Sequence, residues 1–331
     1  MGQPRRIGPY ELQGELGRGG MGIVFQARHA QLGQDVALKL ILDLADTEPD
    51  LLERFLLAGE SLARLKHPNL VQVLGAGRDE RGRPWLAMEF VPGEDLAQRL
   101  QREGPLAAWE AAELVASLAD ALAHAHEQGV LHRDVKPSNV RLRRQDGAPL
   151  LTDFGLAKRL DRSRRLTETG EVLGSPGYLA PEQCGSGDPS TPATDVYGLG
   201  ALLYACLTGS PPCKGATLIH TLHKVLEEPP TPPSALAPPE RGGVPPELER
   251  ICLRALAKAP SERYPDCGAL AAALRGLRSA EARPARRRGR ALAISALCLL
   301  GAAALGVWVG GQGRATSARR PSPGPSHPPA S

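Results

Sequence analysis

The sequence predicts an α+β fold in two lobes, a small β-rich one followed by a larger helical one, with a single apolar helix near the end. Three patterns predict it. Up to about residue 90, apolar residues mostly alternate at the period of a strand; beyond residue 95 they recur at the helical period. Residues 291–311, ALAISALCLLGAAALGVWVGG, then run without a charge or a proline, long enough as a helix to cross a bilayer core of roughly 30 Å. A chain of 331 residues with 42% hydrophobic content can bury a substantial core.

The first lobe, 10–90, opens with Tyr10–Leu16 and Ile23–Arg28 as a strand pair joined by the glycine-rich turn GRGGMG. Asp35–Leu40 places Val36, Leu38 and Leu40 on one face and Ala37 and Lys39 on the other. Leu51, Phe55, Ala58, Leu62 and Leu65 step by four, three, four and three, the stripe of a helix buried on one side. Val71–Leu74 and Trp85–Met88 complete a small sheet, and the break between lobes falls near Glu89–Pro92. The second lobe, 91–278, carries helical patterns at 109–128, 195–208, 216–227, 246–257 and 266–278. A short strand pair, Val140–Leu142 and Pro149–Thr152, turns at Asp146-Gly147. Eight prolines between 229 and 246 mark a stiff surface connection. Residues 1–9 read as an extension, 279–290 as a basic linker and 312–331 as a disordered Pro/Ser-rich tail.

Seven arginines lie in 275–290 against three in 312–327, an asymmetry that keeps the N-terminal bulk in the cytoplasm and sends the short tail outside. The expectation is a single-pass membrane protein. Ala302, Gly306 and Gly310 form a small-residue stripe on which two spans could pair. The six cysteines (184, 206, 213, 252, 267 and 298) contain no CxxC and read as free thiols in a reducing compartment. The first residues lack a secretory apolar run, and Arg6 stands where a myristoylation signal needs Ser or Thr. A net charge of +4 gives no nucleic-acid footprint.

The chemistry concentrates in three places. Gly17-Arg18-Gly19-Gly20-Met21-Gly22 is a GxGxxG. A dinucleotide-binding turn would need a helix directly after it, but the strand-like IVFQAR follows. A glycine-rich hairpin folded over a triphosphate suits the pattern, because no Cβ keeps oxygens from the backbone amides. Lys39, in Val36-Ala37-Leu38-Lys39, is either an edge lysine reaching water or one that meets an anion. Finally, His132-Arg133-Asp134-Val135-Lys136-Pro137-Ser138-Asn139 precedes Asp153-Phe154-Gly155 across the hairpin. Two oxygen ligands and a carboxylate base converging there suit Mg²⁺-phosphate chemistry.

These motifs, across 10 to about 278, resemble the eukaryotic-type serine/threonine protein kinases of bacteria, of the kind with a C-terminal transmembrane helix. The resemblance implies the bilobal kinase fold, ATP with Mg²⁺ (Mn²⁺ as an alternative), protein substrates, and a homodimer through the kinase domain or the span. It implies nucleotide contacts from Leu16, Gly17, Arg18, Gly19, Gly20, Met21, Gly22, Ile23, Val24, Ala37 and Lys39, with Met88, Glu89 and Val91 at the hinge. It assigns Asp134 as base, Lys136 as γ-phosphate contact, Asn139 and Asp153 as metal ligands, and Glu182, Asp195 and Arg263 as structural, Arg263 pairing with Glu182. Lys136 marks the serine/threonine form. Arg133 implies a phosphorylated loop residue as switch, with Thr167 and Thr169 the candidates ahead of Ser163, among the basic Lys158, Arg159, Arg162, Arg164 and Arg165. Ser175 stands where the family usually has Thr.

One departure bears on activity. Relatives carry a helix glutamate for the strand lysine nine residues before the His of an HPN turn; nine before His67 is Ala58. At about 100° per residue, Glu60 points some 200° away from Ala58 and Glu53 about 140° away. The expectation is that Glu60 is brought round by a shift of the helix, or that Lys39 relies on another anion, Asp153 or the nucleotide, with activity reduced or differently gated. A pseudokinase scaffold is the alternative function.

Overall fold

The computed structural model describes residues 5–19, 22–42, 49–154, 175–184 and 190–281. The expected span 291–311, the linker and tail, Gly20 and Met21 of the glycine turn, Gly155, and the loop threonines Thr167 and Thr169 lie outside these residues. Among the described residues no helix is long and apolar enough to cross a membrane.

The first lobe is a six-stranded antiparallel sheet in the order β1-β2-β3-β4-β6-β5, built from β1 Arg6–Ile7, β2 Tyr10–Gly19, β3 Gly22–His29, β4 Asp35–Ile41, β5 Val73–Arg78 and β6 Pro84–Glu89. Helix α1, Pro49–Arg64, packs on β5 and β6. The two faces of the sheet part as the alternation predicts. Val36, Leu38 and Leu40 pack with Ile7, Tyr10, Ile23, Phe25 and Trp85 in an outer core, while Leu86 and Met88 belong to the main core. Because β1 pairs Ile7 with Tyr10, the sheet starts inside the segment read as an extension.

Two expectations in this lobe shift. The strand expected at Val71–Leu74 runs Val73–Arg78, because Val71 donates its N–H to Leu151 O at 2.9 Å in the second lobe. The described buried stripe of α1 is Phe55, Gly59 and Leu62, continued by Leu65 just past its end. Gly59 replaces Ala58 at its centre because the helix lies very close to β5: a Cβ on Gly59 would come within 2.7 Å of Ala76 Cβ.

In the second lobe, β7 Gly93–Asp95, β8 Val140–Arg143 and β9 Pro149–Leu151 form a small sheet under the cleft. The α-helices described there are α2 Leu96–Glu103, α3 Ala108–Glu127, α4 Pro181–Cys184, α5 Pro192–Thr208, α6 Leu218–Glu227, α7 Pro246–Ala255 and α8 Cys267–Glu281. Helix α2 starts at a capping box: Asp95 accepts from Gln98 N, and Gln98 Oε1 accepts from Asp95 N. Helix α5 is buried nearly all round, with Thr194, Asp195 and every residue to Leu207 inside, so it is the axis on which α3 and α7 pack. It stops at Gly209, φ 75°, the left-handed residue that closes many helices. The five described cysteines are free thiols.

The lobes meet beside the future site. Leu70 and Leu151 form a parallel bridge, Leu151 N donates to Asn69 O at 2.8 Å, and Asn69 Nδ2 donates to Pro149 O at 2.8 Å. The segment leaving α1 is thus tied to the strand that leads into Asp153.

Candidate active site

The loop His132–Asn139 is shaped by a buried carboxylate on α5. Asp195 Oδ2 accepts the His132 N–H at 2.9 Å, and Oδ1 accepts the Arg133 N–H at 2.7 Å. His126 Nε2, from α3, lies 2.7 Å from Oδ2. Burial alone would push the Asp195 carboxyl up, but these donors and the neighbouring imidazoles bring it below the ordinary carboxylate range. The two non-glycine residues with left-handed backbone among those described are Arg133, φ 67°, and Asp153, φ 59°. Such geometry costs about 1 kcal/mol or more per residue, and it falls on the two segments that carry the chemical motifs. Asp195 offsets the first by fixing both amides that flank the turn.

His132 fixes the second segment. Its Nδ1 accepts the Asp134 N–H at 3.2 Å and its Nε2 donates to Thr152 O at 2.9 Å, the pattern of a neutral ring protonated on Nε2. Burial keeps it neutral by lowering its pKa. Its ring also packs on Phe154 with centroids 4.7 Å apart. Asp153 is therefore held between two neighbours that His132 grips.

Around this frame the charged groups converge. Lys136 Nζ is 2.8 Å from Asp134 Oδ2, and Asn139 Nδ2 donates to the same oxygen at 3.0 Å and to Asp134 O at 2.7 Å. Thr152 N donates to Asn139 O at 2.9 Å, tying the loop to the strand before Asp153. Lys39 Nζ reaches across from the sheet to Asp153 Oδ1 at 2.6 Å. Cross-strand register puts Val24 opposite Lys39 and Ala37 opposite Met88, so these four share the cleft face. Met88 and Val91 are buried, and Glu89 N donates to Gln72 O at 2.8 Å. Ile23, expected among the nucleotide contacts, is opposite Leu40 and sits in the outer core, one residue out of phase with the cleft.

The glycines differ in what they do. A Cβ on Gly22 would strike Leu40 O at 2.1 Å, so Gly22 is required by the hairpin itself. A Cβ on Gly17 or Gly19 would meet nothing within 4 Å. Leu16 beside them is half exposed, and Arg18 pairs with Glu15 at 3.0 Å. The hairpin has no internal need for glycine at 17 and 19; their bare backbone is open to an approaching phosphate, which fits the nucleotide the sequence implies. Asp153 and Asn139 offer oxygen ligands, the chemistry Mg²⁺ takes when phosphates and water complete its shell.

Among the described side chains of α1, none brings a carboxylate to Lys39. Glu60 and Glu53 are exposed, and Ala58 is half buried. Turning Glu60 to the position of Ala58 would expel Phe55 and Leu62, now 1% and 4% exposed, each worth about 1.5–3 kcal/mol in burial. One half-exposed ion pair returns about 1 kcal/mol at most. Of the two expected arrangements, the structure holds the one in which Lys39 relies on Asp153.

Behind the loop, Arg263 meets Glu182 in a two-bond pair, Nη1–Oε1 and Nη2–Oε2 both 2.8 Å. Its other hydrogens go to Ala257 O, Ala193 O and Lys258 O. Thr194 Oγ1 donates to Glu182 Oε1 at 2.9 Å. The sequence reading missed Gln183, which donates to Arg133 O at 2.8 Å and accepts from Ala180 N, joining α4 to the loop. It also missed His126 and His132; the latter was legible as the apolar-flanked start of the loop, the former only from α3 meeting α5.

Comparison with known proteins agrees with this geometry. The protein kinase domain family model matches residues 10–272. The serine/threonine-protein kinase PkaA of Streptomyces coelicolor is 41% identical over 80% of this chain and 49% of its own length. The kinase PknB of Mycobacterium leprae is 38% identical over 77% of this chain and 40% of its own. The chain thus spans half or less of the length of these curated relatives. The crystal structure of the PknI kinase domain of Mycobacterium tuberculosis superposes with a TM-score of 0.65 at 29% identity, covering 83% of this chain and 99% of that one. The bilobal architecture and the match over residues 10–272 place the chain in the protein kinase family.

Proposed function

We propose that this chain transfers the γ-phosphoryl group of ATP to serine and threonine hydroxyls of proteins, its own activation loop included. The observation that carries the reading is the Asp134 carboxylate with Lys136 Nζ and Asn139 Nδ2 both within 3.0 Å of its Oδ2, beside a strand lysine tied to Asp153. Bound Mg²⁺, held by Asp153 and Asn139, would neutralise phosphate charge. Asp134 accepts the proton of the attacking hydroxyl. Lys136, resting on Asp134, is poised to follow the transferred phosphate, and Asn139 keeps the base oriented. Lys39 steadies the non-transferred phosphates, and the open backbone at Gly17 and Gly19 covers them. The intact set speaks against the pseudokinase alternative, as do relatives named as kinases.

Incubating the full chain with radiolabelled ATP and Mg²⁺ tests this. Label should appear on Ser and Thr, not Tyr, and vanish in Asp134→Asn; equal labelling of the variant would remove Asp134 from the role. Thr167 and Thr169 are the expected sites, docking near Arg133. Residues 291–311 are proposed to anchor the domain on the cytoplasmic face as a single span, supported by the arginine excess in 275–290 over 312–327. Membrane fractionation with and without 291–311 checks the anchor, and crosslinking within the membrane checks pairing of two copies through the span or the kinase domain.

A further inference from the structure

We propose that Lys39 is positioned by the closing of the two lobes and not by helix α1, with Asp153 serving both as its anchor and as a metal ligand. This rests on the kinase reading. Lys39 lies on β4 of the first lobe and Asp153 follows β9 of the second, so their 2.6 Å pair spans the cleft. Among the described residues no other carboxylate pairs with Lys39.

The described side chains of the helix that might supply one do not. Ala58 lies inside the arc between Phe55 and Leu65 and packs, partly buried, against the main core, so α1 presents a methyl group there and no charge. Glu53 and Glu60 lie on the exposed side of α1, and Gly59, against Ala76, seats the helix on β5. Asp153, by contrast, is gripped: Thr152 O and the Phe154 ring both contact His132, which Asp195 holds through its amide. The bridge from Asn69–Val71 to Leu151 sets how close the lobes come at this edge. Opening the cleft therefore releases the lysine, whereas a turn of α1 leaves it in place.

Sharing has a consequence. Lys39 engages only Oδ1 of Asp153, but the ammonium and a cation on the other oxygen repel one another and share one negative charge, so metal and lysine compete for Asp153. A new acid at Ala58 would take over the lysine and free Asp153 for metal.

The test is binding of a fluorescent non-hydrolysable ATP analogue to the full chain across a Mg²⁺ titration, with phosphorylation rates alongside. Ala58→Glu should lower the Mg²⁺ needed for half-saturation by roughly fivefold, the scale of one half-exposed ion pair, and raise the rate at low Mg²⁺. Ala58→Gln, of the same size without charge, should leave the Mg²⁺ dependence unchanged, and so should Glu60→Gln. An unshifted Mg²⁺ midpoint in a folded Ala58→Glu overturns the inference, as does an equal shift in Ala58→Gln. A tenfold loss of rate in Glu60→Gln also overturns it, because α1 would then hold the lysine. If the unsubstituted chain binds the analogue but transfers no phosphate, the kinase reading fails while the binding arm still decides the anchor.

Discussion

Two acid–base pairs in this chain have similar distances and opposite characters. Arg263–Glu182 is bidentate, its side chains 0% and 6% exposed, with every remaining polar atom of the arginine bonded to a carbonyl. Lys39–Asp153 is a single contact, its side chains 20% and 28% exposed at the edge of the cleft. The first cannot be exchanged, because a buried charge without its partner is costly. The second can be traded for a phosphate or a cation at little cost. Rigidity is placed behind the site and exchangeability in front of it.

The contrast breaks first if Arg263→Ala is mild. It should cost about 3–5 kcal/mol of unfolding free energy, measured by urea denaturation, since Glu182 would be stranded. Asp195→Asn should come next, at about 2 kcal/mol, because an amide oxygen can serve only some of the donors from His126, His132 and Arg133. Phosphate transfer should fall with it as the loop loses its shape.

Acid pH probes the rigid frame as a whole. The Glu182 carboxyl, which burial would raise, is carried below its ordinary value by Arg263, and Asp195 is lowered by its donors. Groups with depressed folded pKa lend stability above their unfolded value and lose it as pH falls through the folded one. His132, pushed below 6.5 by burial, acts with the same sign: the unfolded ring takes a proton before the folded one does. Tm should therefore fall in two stages, first below about pH 6.5 as the unfolded His132 ring takes a proton, then below about pH 4.5 as the unfolded Glu182 and Asp195 carboxyls do. A His132→Asn variant should flatten the part near pH 6.

Lys39→Met should have the smallest effect on folding, below about 1 kcal/mol by denaturation, while abolishing labelling. A large loss of stability there would make the cleft pair structural and erase the contrast.

Much of this was legible in the sequence because charged residues in apolar surroundings need a reason. Lys39 in an alternating strand, Asp134 and Asn139 on one short loop, and Asp153 after a hairpin all sit where the chain places them in the cleft. What escaped was set by contacts between distant segments. The capping box at Asp95 was readable in principle but hidden in a short helix. The close seat of Gly59 on Ala76 moved the buried stripe of α1 by one residue, which periodicity alone does not resolve. The His126–Asp195 contact exists only because α3 crosses α5, and Ile23 faces the outer core because the strand phase outweighs nearness to the glycine turn.

Single-turnover phosphorylation by the full chain and by Asp134→Asn, with nucleotide affinity measured in parallel, tests the central claim most directly. Affinity should stay unchanged within about twofold while the rate falls at least a hundredfold, the scale of a lost general base. A variant that transfers phosphate at the original rate, or that loses nucleotide binding in proportion to rate, would contradict it.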